Sequence, residues 1–426
     1  MKLLHVWMSL SMAVWALAAY GQEAAEPAPG PDAIAGNADL AALKQQVKDQ
    51  QENLENLDKV IENLRKEVEA LQGQTPSWIN RITLKGDFRY RHDMIDVEGS
   101  RARHRNRFRL RYGLEAEVNE HLDFGLRFIS GTDDPISGNQ TLGDGFSSKQ
   151  VELDHVYGDF HPKPIPNLHL IFGKMTTMFY RPGKAELYWD ADLSPEGAYL
   201  IYSHDVGNLT LFTTLGGFWV EERSDAADSG LFAAQGGIRA TVDDTRKLYL
   251  MGGSGFFNYT HTAGNTTFVE DDEGFGNTTV TDPDGNERYV YDYGIFQLFA
   301  EAGITLAGVP FSVFGDLAIN TATGASEKTG WLVGTRIGSA KKPGSWGFRY
   351  NYRKVEADSM IAAFTDSDFS DGGTDAQGHE IGVEYIPLKN TKIAVTWFPN
   401  ERNLRKNDPN HEEGFHRVFI DFSFKF

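Results

Sequence analysis

Seven arginines are the residues with the clearest chemical potential in this chain of 426 residues, and six of them recur at every second position. A guanidinium group stays charged at physiological pH and binds carboxylate or phosphate oxygens through two parallel hydrogen bonds. A wall of such groups beside water attracts anions. The sequence therefore predicts a basic, anion-attracting surface made of Arg89, Arg91, Arg105, Arg107, Arg109, Arg111 and Arg127.

A second interpretation of these arginines is structural. Carboxylates recur on the same strand faces, and cross-strand pairs of opposite charge stabilise a sheet. Such pairing would strengthen the wall and leave it little selectivity. The acidic residues that could pair in this way are Asp87, Glu115, Glu117 and Asp123.

An acidic segment, Met175–Glu196, lies farther along the chain and also carries Tyr188 and Trp189. If it folds towards the arginines, the two charge clusters create a transverse field that orients dipolar solutes. The alternative is an external acidic loop. Its candidate residues are Glu186, Asp190, Asp192 and Glu196.

Catalytic and metal-binding patterns are weak in comparison. The chain has no cysteine, its twelve histidines do not fall at zinc-ligand spacings, and no GxSxG or phosphate-binding glycine loop occurs in context. The sequence TDPDGNE at 281–287 resembles half of a calcium loop, but without its ligand spacing it indicates an acidic turn. We therefore expect no enzymatic activity, no cofactor and no resident metal.

The arginines require a strand to position them. In Arg103–Val118 the apolar residues Phe108, Leu110, Tyr112, Leu114, Ala116 and Val118 alternate with charged residues. In a soluble sandwich the apolar face would pack on a second sheet. In a membrane barrel it would face lipid and the charged face would line water. This stretch alone leaves both interpretations open.

The connections between strands favour the membrane barrel. Short turn signals alternate with longer, acidic, Gly-rich segments, which is typical of outer-membrane barrels with tight periplasmic turns and long outer loops. The pattern predicts an all-β transmembrane fold, an antiparallel barrel of about sixteen strands over 78–426. The last strand, which ends at Phe426, has the form that barrel-assembly machinery recognises.

Three segments precede the predicted barrel. Residues 1–21 read as a signal peptide, 22–39 as a flexible linker and 40–72 as a periplasmic coiled coil. A lone helix would expose its apolar seam to water, so we expect the helix to self-associate. The seam residues do not determine whether two or three helices come together. Alternatively, the helix could dock on its own barrel. The apolar seam residues are Leu40, Leu43, Val47, Leu54, Leu57, Ile61, Leu64, Val68 and Leu71.

The chain resembles the bacterial "putative porin" family of outer-membrane channels. The resemblance rests on WINRITLKGDFRYRHD at 78–93, RHRNRFRLRYGLEAEV at 103–118, GNQTLGDGF at 138–146 and LYWDADLSPEGA at 187–198. It implies a diffusion channel for small hydrophilic solutes, a homotrimer, and a periplasmic helix. It assigns no ligand residue.

Together these features predict a passive outer-membrane porin that the arginines bias towards anions. The expected partners are outer-membrane lipid, lipopolysaccharide, the assembly machinery and peptidoglycan, whereas the net charge of −19 argues against nucleic acid. One alternative is a structural tether that binds peptidoglycan through the helix and uses the barrel as an anchor. Another is an outer-membrane enzyme such as a lipase, for which no Ser/His pair is identified.

Overall fold

A computed structural model describes residues 37–74, 79–224, 226–270, 273–405 and 412–426. The predicted signal peptide and nearly all of the predicted linker lie outside these residues. The chain divides into two units, Met1–Pro76 and Ser77–Phe426. The second unit contains all of the β-structure described below.

Sixteen long strands make up the second unit. Their alternating apolar and polar residues suit a sheet with one apolar face and one face in contact with water. In chain order they are β1 Ile82–Val97, β2 Arg103–Asn119, β3 Leu122–Ser130, β4 Val151–Phe160, β5 Leu168–Lys174, β6 Glu196–Val206, β7 Leu209–Glu221, β8 Ser229–Asp243, β9 Leu248–Tyr259, β10 Tyr293–Leu306, β11 Val309–Asn320, β12 Thr329–Gly338, β13 Trp346–Val355, β14 Ala376–Tyr385, β15 Thr391–Arg402 and β16 Glu413–Lys425.

Each strand pairs antiparallel with the next, and β16 pairs with β1 to close the barrel. The closing register matches Phe88 with Phe424 and Arg91 with Asp421. Closure removes the open sheet edges that a membrane does not tolerate. The predicted barrel of about sixteen antiparallel strands is confirmed.

The outward faces of the strands are apolar and uncovered. Leu84, Trp219 and Phe232 are 77%, 76% and 64% exposed. A second sheet would have buried these side chains, so the soluble sandwich is wrong for this chain. Their exposure fits a surface that meets hydrocarbon.

Short turns and long loops alternate around the barrel, as predicted. Four of the long loops matter for the site: L2 (131–150), L3 (175–195), L5 (260–292) and L7 (356–375). L2 contains the short strand Gln140–Thr141, which pairs with β2, and L5 contains a hairpin of Thr279–Thr281 with Glu287–Tyr289. Short 3₁₀ turns occur at Ile79–Arg81, at Pro182–Lys184 in L3 and at Ala362–Phe364 in L7.

The first unit contains one helix, α1, Asn37–Gln74. Every seam residue whose side chain is described is exposed, namely Leu43, Val47, Leu54, Leu57, Ile61 and Leu64. Leu40, Val68 and Leu71 lie within the helix, but their side chains are outside the described set. Among the helices described, none combines the length and apolar character needed to cross a bilayer.

Candidate functional site

The strand register places the arginines of β1 and β2 side by side. Arg89 lies opposite Arg109, and Arg91 lies opposite Arg107. Because side chains alternate along a strand, these guanidinium groups share the face opposite to Phe88 and Leu110. They bond to loop residues inside the barrel, so this face lines the lumen.

Five of the seven predicted basic residues pair with carboxylates on neighbouring strands. The pairs are Arg91 with Asp421, Arg105 with Asp93, Arg109 and Arg111 with Asp87, and Arg127 with Asp154. Asp87 is one of the acids expected to stabilise the wall. Glu115 instead pairs with Lys85, and Asp123 lies 3.2 Å from His161. The structural interpretation therefore applies to part of the arginine set.

Two of these arginines also pair with carboxylates carried by loops. Arg109 donates to Asp192 of L3 at 2.8 Å, and Arg91 donates to Asp368 of L7 at 2.9 Å. Arg91 also donates to Asp421 of β16 at 2.8 Å. These bonds tie both loops to the arginine wall.

Arg89 and Arg107 form no ion pair with any described carboxylate. Arg89 Nη2 donates to the amide oxygen of Asn139 at 2.8 Å. Arg107 Nη2 contacts Ser137 Oγ and the main-chain oxygen of Asn139, both at 3.4 Å. The Nε atoms of Arg89 and Arg107 are buried and have no hydrogen-bond partner in the part of the chain described.

L3 lies inside the barrel because its apolar side chains pack on the inner wall of β6–β9. Phe179 meets the ring of Phe257 at 4.9 Å between centroids, and Trp189 donates from Nε1 to Tyr259 at 3.0 Å. Met175 is fully buried. Burial of such large side chains stabilises the inward position by several kcal/mol, at about 1.5–3 kcal/mol for each residue.

The far part of L3 reaches the wall formed by β10–β13. Gly183 N donates to Glu301 at 2.7 Å, and Arg336 donates to the Gly183 carbonyl oxygen at 2.8 Å. Gly183 has φ +58°, and a Cβ there would lie 2.2 Å from the Phe314 ring, so only glycine fits. L3 therefore spans the lumen from β5 to the opposite wall and returns to Arg109.

The four predicted acidic residues occupy different places. Asp192 meets the arginines, Asp190 accepts hydrogen bonds from the main chain and hydroxyl of Ser367 in L7, and Glu186 accepts from Ala191 N at 2.9 Å. Glu196 lies at the start of β6, where it pairs with Lys174 at 2.7 Å and is exposed. Three of the four thus lie on the inward part of the loop.

The pKa values of these carboxyls diverge with their surroundings. Burial, reinforced by the carboxylate of Asp366 in L7, raises the pKa of Glu186 to about 8. Burial and the Glu186 carboxylate raise the pKa of Asp190 well above its ordinary value. Burial alone would raise the pKa of Asp192 too, but Arg109, Arg89 and Arg111 lower it to about 2. Among the three inward carboxyls, Asp192 is therefore the one whose negative charge the arginines stabilise.

L7 is a second inward loop that the sequence analysis missed. Asp366 accepts from Arg353 at 2.8 Å, and Asp368 lies 3.2 Å from Arg417. Arg353 and Arg417 are each 1% exposed. Carboxylate oxygens of Glu186, Asp190 and Asp366 lie within 4.8 Å of one another where L7 meets L3.

A local signal for Arg353 and Arg417 does exist. Arg353 follows Tyr352 on β13, and Arg417 precedes Val418 on β16, so both occupy the polar face of an alternating strand. The inward path of L7 has no comparable signal. Its composition is as acidic and Gly-rich as that of an external loop.

The lumen contains a cavity of about 950 Å³ that borders L3 and L7 and is lined by β1, β2 and β10–β16. Eleven Arg and Lys line it, against eight Asp and Glu, one of which is Glu186 with its raised pKa. The whole chain carries −19. Positive charge is therefore concentrated where a solute would pass.

The family model described as "Putative porin" matches residues 94–286 and 299–405, which is more than half of the chain. A comparison with the curated proteins finds no match.

Solved structures resemble the barrel at low sequence identity. Pseudomonas putida OprB, in its high-pH structure, is 11% identical over 82% of this chain and 95% of its own, with a TM-score of 0.54. Salmonella typhi OmpF in complex with daunomycin is 10% identical over 81% and 97%, with a TM-score of 0.48. The Acinetobacter baumannii outer-membrane channel DcaP is 13% identical over 81% and 97%, with a TM-score of 0.45. At such identities the resemblance to OprB is one of fold.

Proposed function

The chain belongs to the "putative porin" family, its barrel is an outer-membrane channel, and we propose that it admits small hydrophilic solutes by passive diffusion with a preference for anions. The observation that carries the preference is the excess of basic over acidic residues around the luminal cavity. In a pore, the sign of the lining charge determines which ions enter. Arginines of β1 and β2 supply four of the eleven basic residues that line the cavity.

Reversal potentials in planar bilayers under a potassium chloride gradient test the preference. We expect Arg107→Glu with Arg109→Glu to lower the chloride-to-potassium permeability ratio roughly tenfold, because each unit charge about 10 Å from an ion in water contributes about 0.4 kcal/mol. Lys163→Glu with Lys247→Glu introduces the same charge change in two exposed short turns outside the arginine wall and serves as control. An unchanged ratio in the first variant would refute the proposal.

We also propose that the chain is a homotrimer held partly by a periplasmic coiled coil of α1. The exposed apolar seam supports this, because six described seam residues otherwise face water. Leu54→Asp with Leu57→Asp should shift the detergent-solubilised protein from trimer towards monomer in sedimentation. Asn53→Asp with Asn56→Asp adds the same charge beside the seam and should leave the trimer intact. A trimer that survives the seam variant would contradict the proposed coiled coil.

The other proposed partners of the protein are inferred from the barrel surface and from its last strand. Lipid and lipopolysaccharide would meet the apolar outer face, and the assembly machinery would bind β16. We propose a non-enzymatic role. Liposome swelling in sugar solutions separates a channel from a tether, since a protein that serves only as an anchor would give no swelling, and capture of peptidoglycan by α1 would then favour the tether.

A further inference from the structure

Arg89 and Arg107 converge on a single neutral residue. Asn139 accepts a hydrogen bond from Arg89 through its side chain at 2.8 Å and from Arg107 through its main chain at 3.4 Å. Both guanidinium groups have buried Nε donors without a partner among the described residues. The two cations are therefore bridged by one uncharged residue.

Four of the carboxylates near these two arginines are already engaged by other cations, and a fifth, Asp134 of L2, lies near Arg107 but forms no ion pair with it. Near Arg89, Asp192 is bonded to Arg109 and Asp421 to Arg91. Near Arg107, Asp368 is bonded to Arg91, and Asp93 is bonded to Arg417 at 2.9 Å. The local network thus leaves two positive charges without a dedicated counter-charge.

L2 holds Asn139 in place. The adjacent strand Gln140–Thr141 pairs with β2, so that Thr141 lies opposite Arg107. Asn139 Nδ2 also donates to Ser137 Oγ at 3.2 Å. Since an anion oxygen adds the attraction of opposite charges to its hydrogen bond with a guanidinium, and the amide oxygen is neutral, an anion can compete with the amide oxygen.

We propose that Arg89 and Arg107 form a binding site for small multivalent oxyanions, in which an anion oxygen replaces the amide oxygen of Asn139. The ligand class is an inorganic or organic phosphate or a related anion with at least two acceptor oxygens, because each guanidinium fork matches two oxygens. Arg89 lines the luminal cavity, which gives such an anion access. The inference rests on the proposed anion-preferring channel and names the solutes that it would retain.

Block of chloride current by inorganic phosphate tests the site in the full-length protein. Phosphate bound in the lumen should reduce single-channel chloride current in a saturable manner. In Arg89→Gln with Arg107→Gln the half-blocking concentration should rise by about tenfold or more, since each charge-assisted hydrogen bond contributes a factor of about ten. Lys341→Gln with Lys392→Gln removes two positive charges from the same cavity and should leave the half-blocking concentration within about twofold.

Asn139→Ala gives a test in the opposite direction. Removing the competing amide should tighten phosphate block several-fold, while the main-chain oxygen that Arg107 contacts remains. Equal loss of block in both double variants would overturn the site in favour of a diffuse charge effect, as would the absence of any block in the unmodified protein. The chloride-to-potassium permeability ratio, measured in the same bilayers, distinguishes the phosphate site from the proposed anion-preferring channel. If the protein prefers chloride but phosphate does not block it, the phosphate site is refuted and the proposed channel function is not.

Discussion

Two halves of the barrel interior differ in how they hold the same loop. Against β6–β9, L3 buries Phe179 and Trp189 among aromatic side chains of the wall, with Phe268 of L5 and Phe364 of L7 stacked 5.8 Å apart nearby. Against β1 and β2, L3 is held by the ionic contact of Asp192.

The difference suggests two roles: one half of the interior positions L3, and the other half selects among ions. Apolar packing is insensitive to salt and pH, so the aromatic half fixes where L3 lies. The guanidinium groups of the charged half border the luminal cavity, so a passing anion can compete for their hydrogen bonds. A lumen built only of ion pairs would hold the loop less firmly, and one built only of aromatic residues would have no charge preference.

The largest loss of stability is expected for a substitution in the aromatic half. Phe179→Ala should destabilise the folded barrel by about 3–5 kcal/mol, since a buried phenylalanine leaves a cavity when truncated. Thermal unfolding in detergent measures this, and channel recordings should show larger current fluctuations as L3 loosens. Phe232→Ala on the outer face is the matched control and should cost much less in detergent. Equal losses in the two variants would mean that L3 is not held by its aromatic contacts.

How much of this division could be read from the sequence depends on the range of the interaction. Alternation of period two places the side chains of Arg109 and Arg91 on the inner face, because a strand leaves only two directions. Their partners are a different matter, since Asp192 lies 83 residues from Arg109 and Asp368 lies 277 residues from Arg91. Nothing local specifies such pairs.

The aromatic half illustrates the same limit. Val151–Phe160 and Leu209–Val220 carry apolar residues on both faces, which makes them ambiguous as to face in the sequence. In Leu209–Val220 the structure explains the ambiguity, because Phe218 points inward onto Phe179 of L3 while Trp219 faces outward. In Val151–Phe160 the pairing register with β3 shifts between Leu153 and His155, so the exposed residues change from odd to even positions. Strands that support an inward loop lose the clean alternation of strands that line water.

A smaller effect is expected where L3 meets L7. Glu186 has a folded-state pKa of about 8, above its ordinary value, so the folded protein retains a proton that the unfolded chain releases. The resulting stability is fully present below the ordinary pKa of glutamate and is lost as pH rises towards 8, with a slope of about 1.4 kcal/mol per pH unit at most. Glu186→Gln should flatten this slope in thermal unfolding, whereas Asp284→Asn in the exposed turn of L5 should not. A slope that persists in Glu186→Gln would assign it to other groups.

The smallest effect, and the most specific to the charged half, is expected for Asp192→Asn. Asp192 neutralises Arg109 and lies 3.6 Å from Arg111, so its removal returns one net positive charge to the lumen. A unit charge about 10 Å from the path of the ions changes the energies of chloride and potassium in opposite directions, by about 0.4 kcal/mol each in water. Screening over one Debye length reduces the difference to about 0.3 kcal/mol, which corresponds to about a twofold increase in the chloride-to-potassium permeability ratio. Because the aromatic contacts of L3 remain, the melting temperature should fall far less than in Phe179→Ala. The control Glu196→Gln removes an acid at the start of β6, directly after L3, that pairs with Lys174 outside the arginine wall, and it should leave the ratio unchanged. If Asp192→Asn instead destabilised the barrel as strongly as Phe179→Ala, the ionic contact would be positioning the loop, and the assignment of positioning to one half and selection to the other would be wrong.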